Sequence, residues 1–80
     1  MKLNPFLRKT KVHVMEANGE KVVGVLSEDK VMKLKDFIEY MEALRELGVD
    51  VELKIIVDWT NPVEVALAEI LEKHFKADLC

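Results

Sequence analysis

Residues 10–27 read TKVHVMEANGEKVVGVLS, and this segment predicts a β-hairpin. At its centre, Asn18 and Gly19 suit the two positive φ angles that a type I′ turn requires. Strands are therefore expected over 10–17 and 20–27, and a two-residue turn fixes their register. The predicted partners are Glu16 with Lys21, Met15 with Val22, Val14 with Val23, His13 with Gly24 and Val12 with Val25. This register gathers the valines at 12, 14, 23 and 25 on one face of the hairpin.

A helix is expected after the hairpin, over about 29–47. Ser27, Glu28 and Asp29 form a polar break that suits the start of a helix. Beyond it, apolar residues recur at helical spacing. The members of this stripe are Val31, Leu34, Phe37, Ile38, Met41, Leu44 and Leu47. Gly48 is expected to end the helix, because glycine readily takes a left-handed conformation.

The remaining residues predict a strand and a second helix. Apolar and polar residues alternate over 50–58, which is typical of a strand with one buried face. Asn61 can then cap a helix that has Pro62 in its first turn and Glu64 three residues after the cap.

The element order ββαβα predicts an α+β fold. We expect a two-layer sandwich with a three-stranded mixed sheet, made of the hairpin plus one parallel strand, and two helices on one face. The unit from the second strand to the third is expected to cross over right-handedly, which makes those two strands parallel. The pattern leaves open which hairpin strand the third strand joins. Residues 10–80 form a single predicted domain, preceded by a basic arm over 1–9.

Composition limits the class of protein. The chain has 80 residues, half of them apolar, a single cysteine and a net charge of −3. The apolar runs are too short to span a membrane, no signal-peptide stretch is apparent, and one cysteine excludes a disulfide framework, so a cytoplasmic protein is predicted. Abundant Lys and Glu without Gln are typical of thermophilic proteins. Chance in a short chain is the alternative explanation.

The sheet face opposite the helices carries a predicted interface. Its apolar members are Met15, Val22, Leu26 and Ile56, with His13 and Lys54 at the rim. A solvated face would alternate more cleanly with polar residues. Three occupants are considered: a second copy of the chain, the N-terminal segment with Leu3, Phe6 and Leu7, and another partner or ligand.

A metal site at the strand ends is a competing hypothesis. If the second and third strands are parallel, Glu28 and Asp29 lie at the same sheet edge as Asp58. Three carboxylates there would suit a divalent metal and phosphoryl-transfer or nuclease chemistry. The simpler interpretation is that the first two acids serve a helix start, where acids are favoured.

Nucleic-acid binding is a further alternative, because the N-terminal arm is basic. Residues 1–12 carry a charge of +4 from Lys2, Arg8, Lys9 and Lys11, while the rest of the chain carries −7. Such an arm can contact phosphates, although an acidic body makes a weak electrostatic footprint.

No motif in the sequence specifies a reaction. There is no glycine-rich phosphate loop, no paired cysteines and no nucleophile with a base, so no cofactor is predicted and a non-catalytic protein is favoured over an enzyme. The leading hypothesis is a homodimeric protein-interaction module. The sequence does not indicate its pathway.

Overall fold

The computed structural model describes residues 7–80, with side chains from Lys9 onward. The elements are β1 (Leu7–Ala17), β2 (Glu20–Val25), β3 (Lys30–Lys33), α1 (Leu34–Glu46), β4 (Asp50–Ile56), α2 (Pro62–His74) and β5 (Lys76–Leu79). The five strands form one mixed sheet in the order β3-β2-β1-β4-β5. The α+β class is confirmed, while the prediction of a three-stranded sheet misses two strands.

The hairpin forms in the predicted register. Asn18 and Gly19 have φ angles of 53° and 78°, as the type I′ turn requires. β1 and β2 are antiparallel, and their partners run from Ala17 with Glu20 to Val12 with Val25. β1 begins at Leu7, three residues before the predicted start, so part of the predicted arm pairs with β4.

β3 replaces the predicted first turns of the first helix. Residues 26–29 form a tight turn in which Asp29 has a φ of 53° and the amide of Glu28 donates to the Val25 carbonyl. β3 then pairs antiparallel with β2. The predicted helix start at Ser27, Glu28 and Asp29 is therefore wrong, because these residues reverse the chain instead. α1 begins at Leu34 and ends before Gly48, whose φ of 94° agrees with the predicted stop.

The direction of β4 differs from the prediction. β4 lies beside β1 and parallel to it, from Leu7 with Asp50 to His13 with Ile56. Since β2 is antiparallel to β1, the predicted parallel relation between β2 and β4 is wrong. The physical reason is β3, which reverses the chain once more before α1 carries it across the sheet to β4.

α2 begins as predicted and leads into a strand that was not predicted. The Asn61 side chain accepts hydrogen bonds from the amides of Val63 and Glu64, and Pro62 occupies the first turn. After Phe75 the chain becomes extended, and β5 pairs parallel with β4 at the sheet edge. Four residues with two charges give too short an alternation to be recognised as a strand.

The core lies on one face of the sheet. Val12, Val14, Val23 and Val25 of the hairpin join Val51, Leu53, Ile55 and Val57, and all eight are at most 7% exposed. Phe37 and Met41 of α1 and Leu67, Ala68 and Leu71 of α2 belong to the same buried cluster. Both helices therefore cover this face, and neither of them lies on the opposite face.

Candidate functional site

The side of the sheet that neither α1 nor α2 covers is called the open face. Strand alternation and register assign to it Lys9, Lys11, His13 and Met15 of β1; Glu20, Val22 and Gly24 of β2; Val31 and Lys33 of β3; Asp50, Glu52, Lys54 and Ile56 of β4; and Lys76 and Asp78 of β5. Leu26 follows β2, and its amide donates to the Lys11 carbonyl. All six residues predicted for an interface lie on this face or at its edge.

Apolar side chains occupy one side of the open face. This apolar patch consists of Met15, Val22, Leu26, Val31 and Ile56. Met15 is the direct partner of Val22. Val31, Gly24, His13 and Ile56 follow one another across β3, β2, β1 and β4, so His13 lies between Gly24 and Ile56. Leu26 is 50% exposed and Val31 is 65% exposed. The patch thus combines a partly covered centre with protruding side chains at its β2–β3 end.

Val31 is the patch residue that the sequence analysis missed. Helical spacing assigned Val31 to the core stripe of the first helix, whereas β3 places it opposite Gly24 on the open face. The polar turn of residues 26–29 was the available signal, because such a cluster directly after a strand favours another hairpin.

A groove crosses the apolar patch at Gly24. It has a volume of about 220 Å³, and its walls come from Met15, Leu26 and Val31, with Val25, Asp29 and Lys30 completing the lining. The Met15 methyl lies over the groove floor, 3.2 Å from where a Cβ on Gly24 would stand. The lining is therefore mainly apolar, with Asp29 and Lys30 as its charged members.

Charged side chains occupy the other side of the open face. Lys9, Glu52 and Lys76 form one row across three strands, and Lys11, Lys54 and Asp78 form the next. Lys11 and Lys54 are direct partners, although like charges placed opposite each other destabilise a sheet. Among the side chains that the structure describes, none forms an ion pair with either lysine.

A buried carboxylate joins three elements at the rim of the open face. Glu64 of α2 is 8% exposed. Its Oε1 accepts a hydrogen bond from the Asp58 amide at 2.9 Å and lies 3.2 Å from Nε2 of His13. This contact forms where the β1–β4 pairing ends, at His13 and Ile56. Glu64 therefore holds the start of α2 against the end of β4 and against β1, which fixes His13 in place.

The pKa of Asp58 is lowered from its ordinary value of 3.8. The main cause is the Thr60 hydroxyl, which donates to Oδ1 at 2.7 Å, followed by the Thr60 amide at 3.0 Å. The charge of His13 lowers this pKa further. Asp58 therefore stabilises the turn before α2 as a carboxylate.

The geometric premise of the predicted metal site is wrong. β2 and β4 run in opposite directions, so Glu28 and Asp29 do not share a sheet edge with Asp58. Asp58 bonds to its own turn, and Glu28 forms an ion pair with Lys30 at 3.6 Å. Within residues 9–80, no three His, Cys, Asp or Glu side chains are grouped so as to hold a metal ion.

The predicted nucleic-acid residues are only partly described. Lys2 lies outside the described residues, as does the side chain of Arg8. Lys9 and Lys11 are exposed on β1 and point to the open face, beside the acid Glu52. The predicted cover of that face by Leu3, Phe6 and Leu7 also falls outside the described side chains.

Comparisons with models of known protein families, with curated proteins and with solved structures find no match. Of the helices in residues 7–80, α1 and α2, neither is long and apolar enough to cross a membrane. The function of the open face must therefore be inferred from its own geometry and chemistry.

Proposed function

We propose that this protein is a small non-catalytic interaction module that associates with a second copy of itself through the open face. The observation that carries the proposal is the apolar patch, which four neighbouring strands build on the face that neither α1 nor α2 covers. Exposed apolar surface of this kind marks contact sites, and symmetric dimers are the commonest oligomers.

The exposure of the patch supports an interface. Leu26 and Val31 protrude into solvent, and they supply apolar surface that a partner can bury. Val22 is already buried in the single chain, at 8% exposed. A second chain would bury the protruding side chains and gain roughly 25 cal/mol for each Å² of apolar surface removed from water. No apolar cluster is needed on this face for the core, because the core occupies the opposite side.

The charges of the open face favour a second copy over nucleic acid. The face carries five lysines and four acids, in the form of Lys9, Lys11, Lys33, Lys54 and Lys76 with Glu20, Asp50, Glu52 and Asp78. A nucleic-acid surface would be basic throughout. A face with both signs can complement itself when a two-fold axis brings two copies together.

The pair of Lys11 and Lys54 fits such an interface. These like charges lie opposite each other in the single chain, with Asp78 of β5 on the other side of Lys54, and neither lysine forms an ion pair among the described side chains. Acids of the second copy, such as Glu52 or Asp78, would offset this repulsion. The charged side of the face would then border the apolar patch on one side, as the polar part of the interface.

The size of the face sets the expected strength of the dimer. Five strands about 4.8 Å apart and roughly 20 Å long give a footprint of roughly 500 Å². A standard interface buries about 800 Å² per partner. We therefore expect a reversible dimer whose population depends on protein concentration.

The experiment is a measurement of solution mass by light scattering and sedimentation over a range of concentrations, in reductant. The wild type is expected to form a dimer. Met15→Glu/Ile56→Glu is expected to weaken association at least tenfold, because it places two carboxylates in the apolar patch. Circular dichroism checks that this variant remains folded.

Leu47→Glu/Ile70→Glu is the matched control. These residues are exposed apolar side chains of the helix layer, 79% and 38% exposed, so the control makes the same chemical change away from the open face. It is expected to dimerise like the wild type. A wild-type monomer at all concentrations, or equal losses in both double variants, would overturn the proposal.

Removal of residues 1–6 tests whether the N-terminal segment, and not a second copy of the chain, covers the open face. If the N-terminal segment covers the open face, the full chain is a monomer and the shortened chain dimerises. If a second copy covers it, both chains dimerise. The first result would assign the face to the segment and contradict the proposed function.

A further inference from the structure

We infer that the groove at Gly24 is a socket for an aliphatic side chain of the second copy, and that Gly24 is present to keep this socket open. The inference rests on the proposed function and names the part of the open face that determines the contact. It starts from a glycine that neither the backbone conformation nor the strand pairing requires.

Gly24 lies in the interior of β2, where glycine weakens a strand. Backbone geometry does not require it, because Gly24 is not among the glycines with positive φ, which are Gly19 and Gly48 in the described chain. A bulge does not require it either. The pairing continues through Gly24 without a break, to His13 on β1 and Val31 on β3.

Gly24 is buried, and its surroundings favour a small residue without forbidding a larger one. A Cβ there would meet two atoms within 4 Å, the Met15 methyl at 3.2 Å and the His13 carbonyl oxygen at 3.7 Å. The methyl is the end of a flexible side chain, which can move by a few tenths of an ångström. A larger residue is therefore compatible with the strand, but it would lift Met15 and fill the groove.

The groove fits one aliphatic side chain. Met15, Leu26 and Val31 provide apolar walls around a volume of about 220 Å³. Side chains that enter well-packed apolar pockets of an interface contribute a large share of its binding free energy. In a two-fold dimer each copy would supply one socket and one inserted side chain.

The test compares variants at Gly24. Gly24→Ala and Gly24→Val fill the groove in two steps, and valine also favours strand structure. We expect both variants to fold, with a dissociation constant raised about threefold by alanine and at least tenfold by valine. Sedimentation gives the dissociation constant, and urea denaturation at low concentration gives the stability of the single chain.

Lys21→Val is the matched control, because it adds a β-branched apolar residue to the same strand, β2, at an exposed position on the side of the sheet opposite to the open face. It is expected to leave the dissociation constant within about twofold. An unchanged dissociation constant in Gly24→Ala would overturn the socket, even if Gly24→Val fails to fold. If Met15→Glu/Ile56→Glu disrupts the wild-type dimer but no Gly24 variant weakens it, the socket is contradicted and the proposed dimer through the open face is not. A wild-type monomer overturns both proposals.

Discussion

Glu64 shows how a single residue connects the covered and open sides of the sheet. Glu64→Ala removes the acceptor for the Asp58 amide and the partner of His13. We expect the free energy of unfolding to fall by about 1–3 kcal/mol, because the amide loses its partner in a part-buried position. Urea denaturation at neutral pH measures this loss. Glu64→Gln keeps an acceptor oxygen and is expected to lose less.

Glu69 provides the control on the same helix, since its side chain is exposed. Glu69→Ala is expected to change stability by no more than about 0.5 kcal/mol. Equal effects of Glu64→Ala and Glu69→Ala would mean that the contact with β1 and β4 has no structural role.

Asp58 predicts a component of acid sensitivity. Folding lowers its pKa, so the unfolded chain binds the proton more readily. Its stabilising effect is complete above the ordinary pKa of 3.8 and is lost as the pH falls through the lowered, folded value. Thr60→Val removes the largest cause of the shift and should reduce the difference in stability between neutral pH and about pH 2.5.

Thr60→Ser retains the hydroxyl donor and serves as the comparison. Urea denaturation at the two pH values should give wild-type behaviour for the serine variant and a smaller pH dependence for the valine variant. The same pH dependence in all three proteins would contradict the role assigned to the Thr60 hydroxyl.

The strands of the sheet are expected to differ in protection. β1 and β4 have neighbours on both sides, whereas β3 and β5 are edge strands of four residues each. Amide hydrogen exchange should therefore be slowest in β1 and β4 and faster in β3 and β5. Nuclear magnetic resonance at two protein concentrations measures the exchange rate of each backbone amide.

The same measurement locates the dimer contact. Association through the open face leaves the outer amides of both edge strands unpaired, so their exchange should not slow as the dimer forms. Slower exchange of β5 or β3 amides at high concentration would instead assign association to that edge.

Elements with strong local signals were predicted well. The hairpin register follows from Asn18 and Gly19, and the start of α2 follows from Asn61 and Pro62, because these residues act on their immediate neighbours. β3 could not be separated from α1, since Val31 continues the helical spacing of Leu34 and Ile38. Its pairing with β2, a tertiary contact, overrides that spacing.

At the scale of the whole molecule, one missed strand changed the predicted sites. β3 reverses the chain, so that β4 pairs with β1. Asp58 therefore lies near His13 and Glu64, and not near Glu28 and Asp29 as predicted. The open face was nevertheless anticipated, because alternation along β1, β2 and β4 does not depend on strand direction. Val31 was missed for the reason that β3 was missed.

The central place of β1 also determines the order in which the molecule can fold. Its hairpin with β2 closes a two-residue loop and can form within about 1–10 μs. Its pairing with β4 closes a much longer loop that contains β2, β3 and α1, and long-range pairing of this kind slows folding. Substitutions at Asn18 or Gly19 should therefore slow folding. Substitutions in β5, the C-terminal edge strand, should mainly speed unfolding.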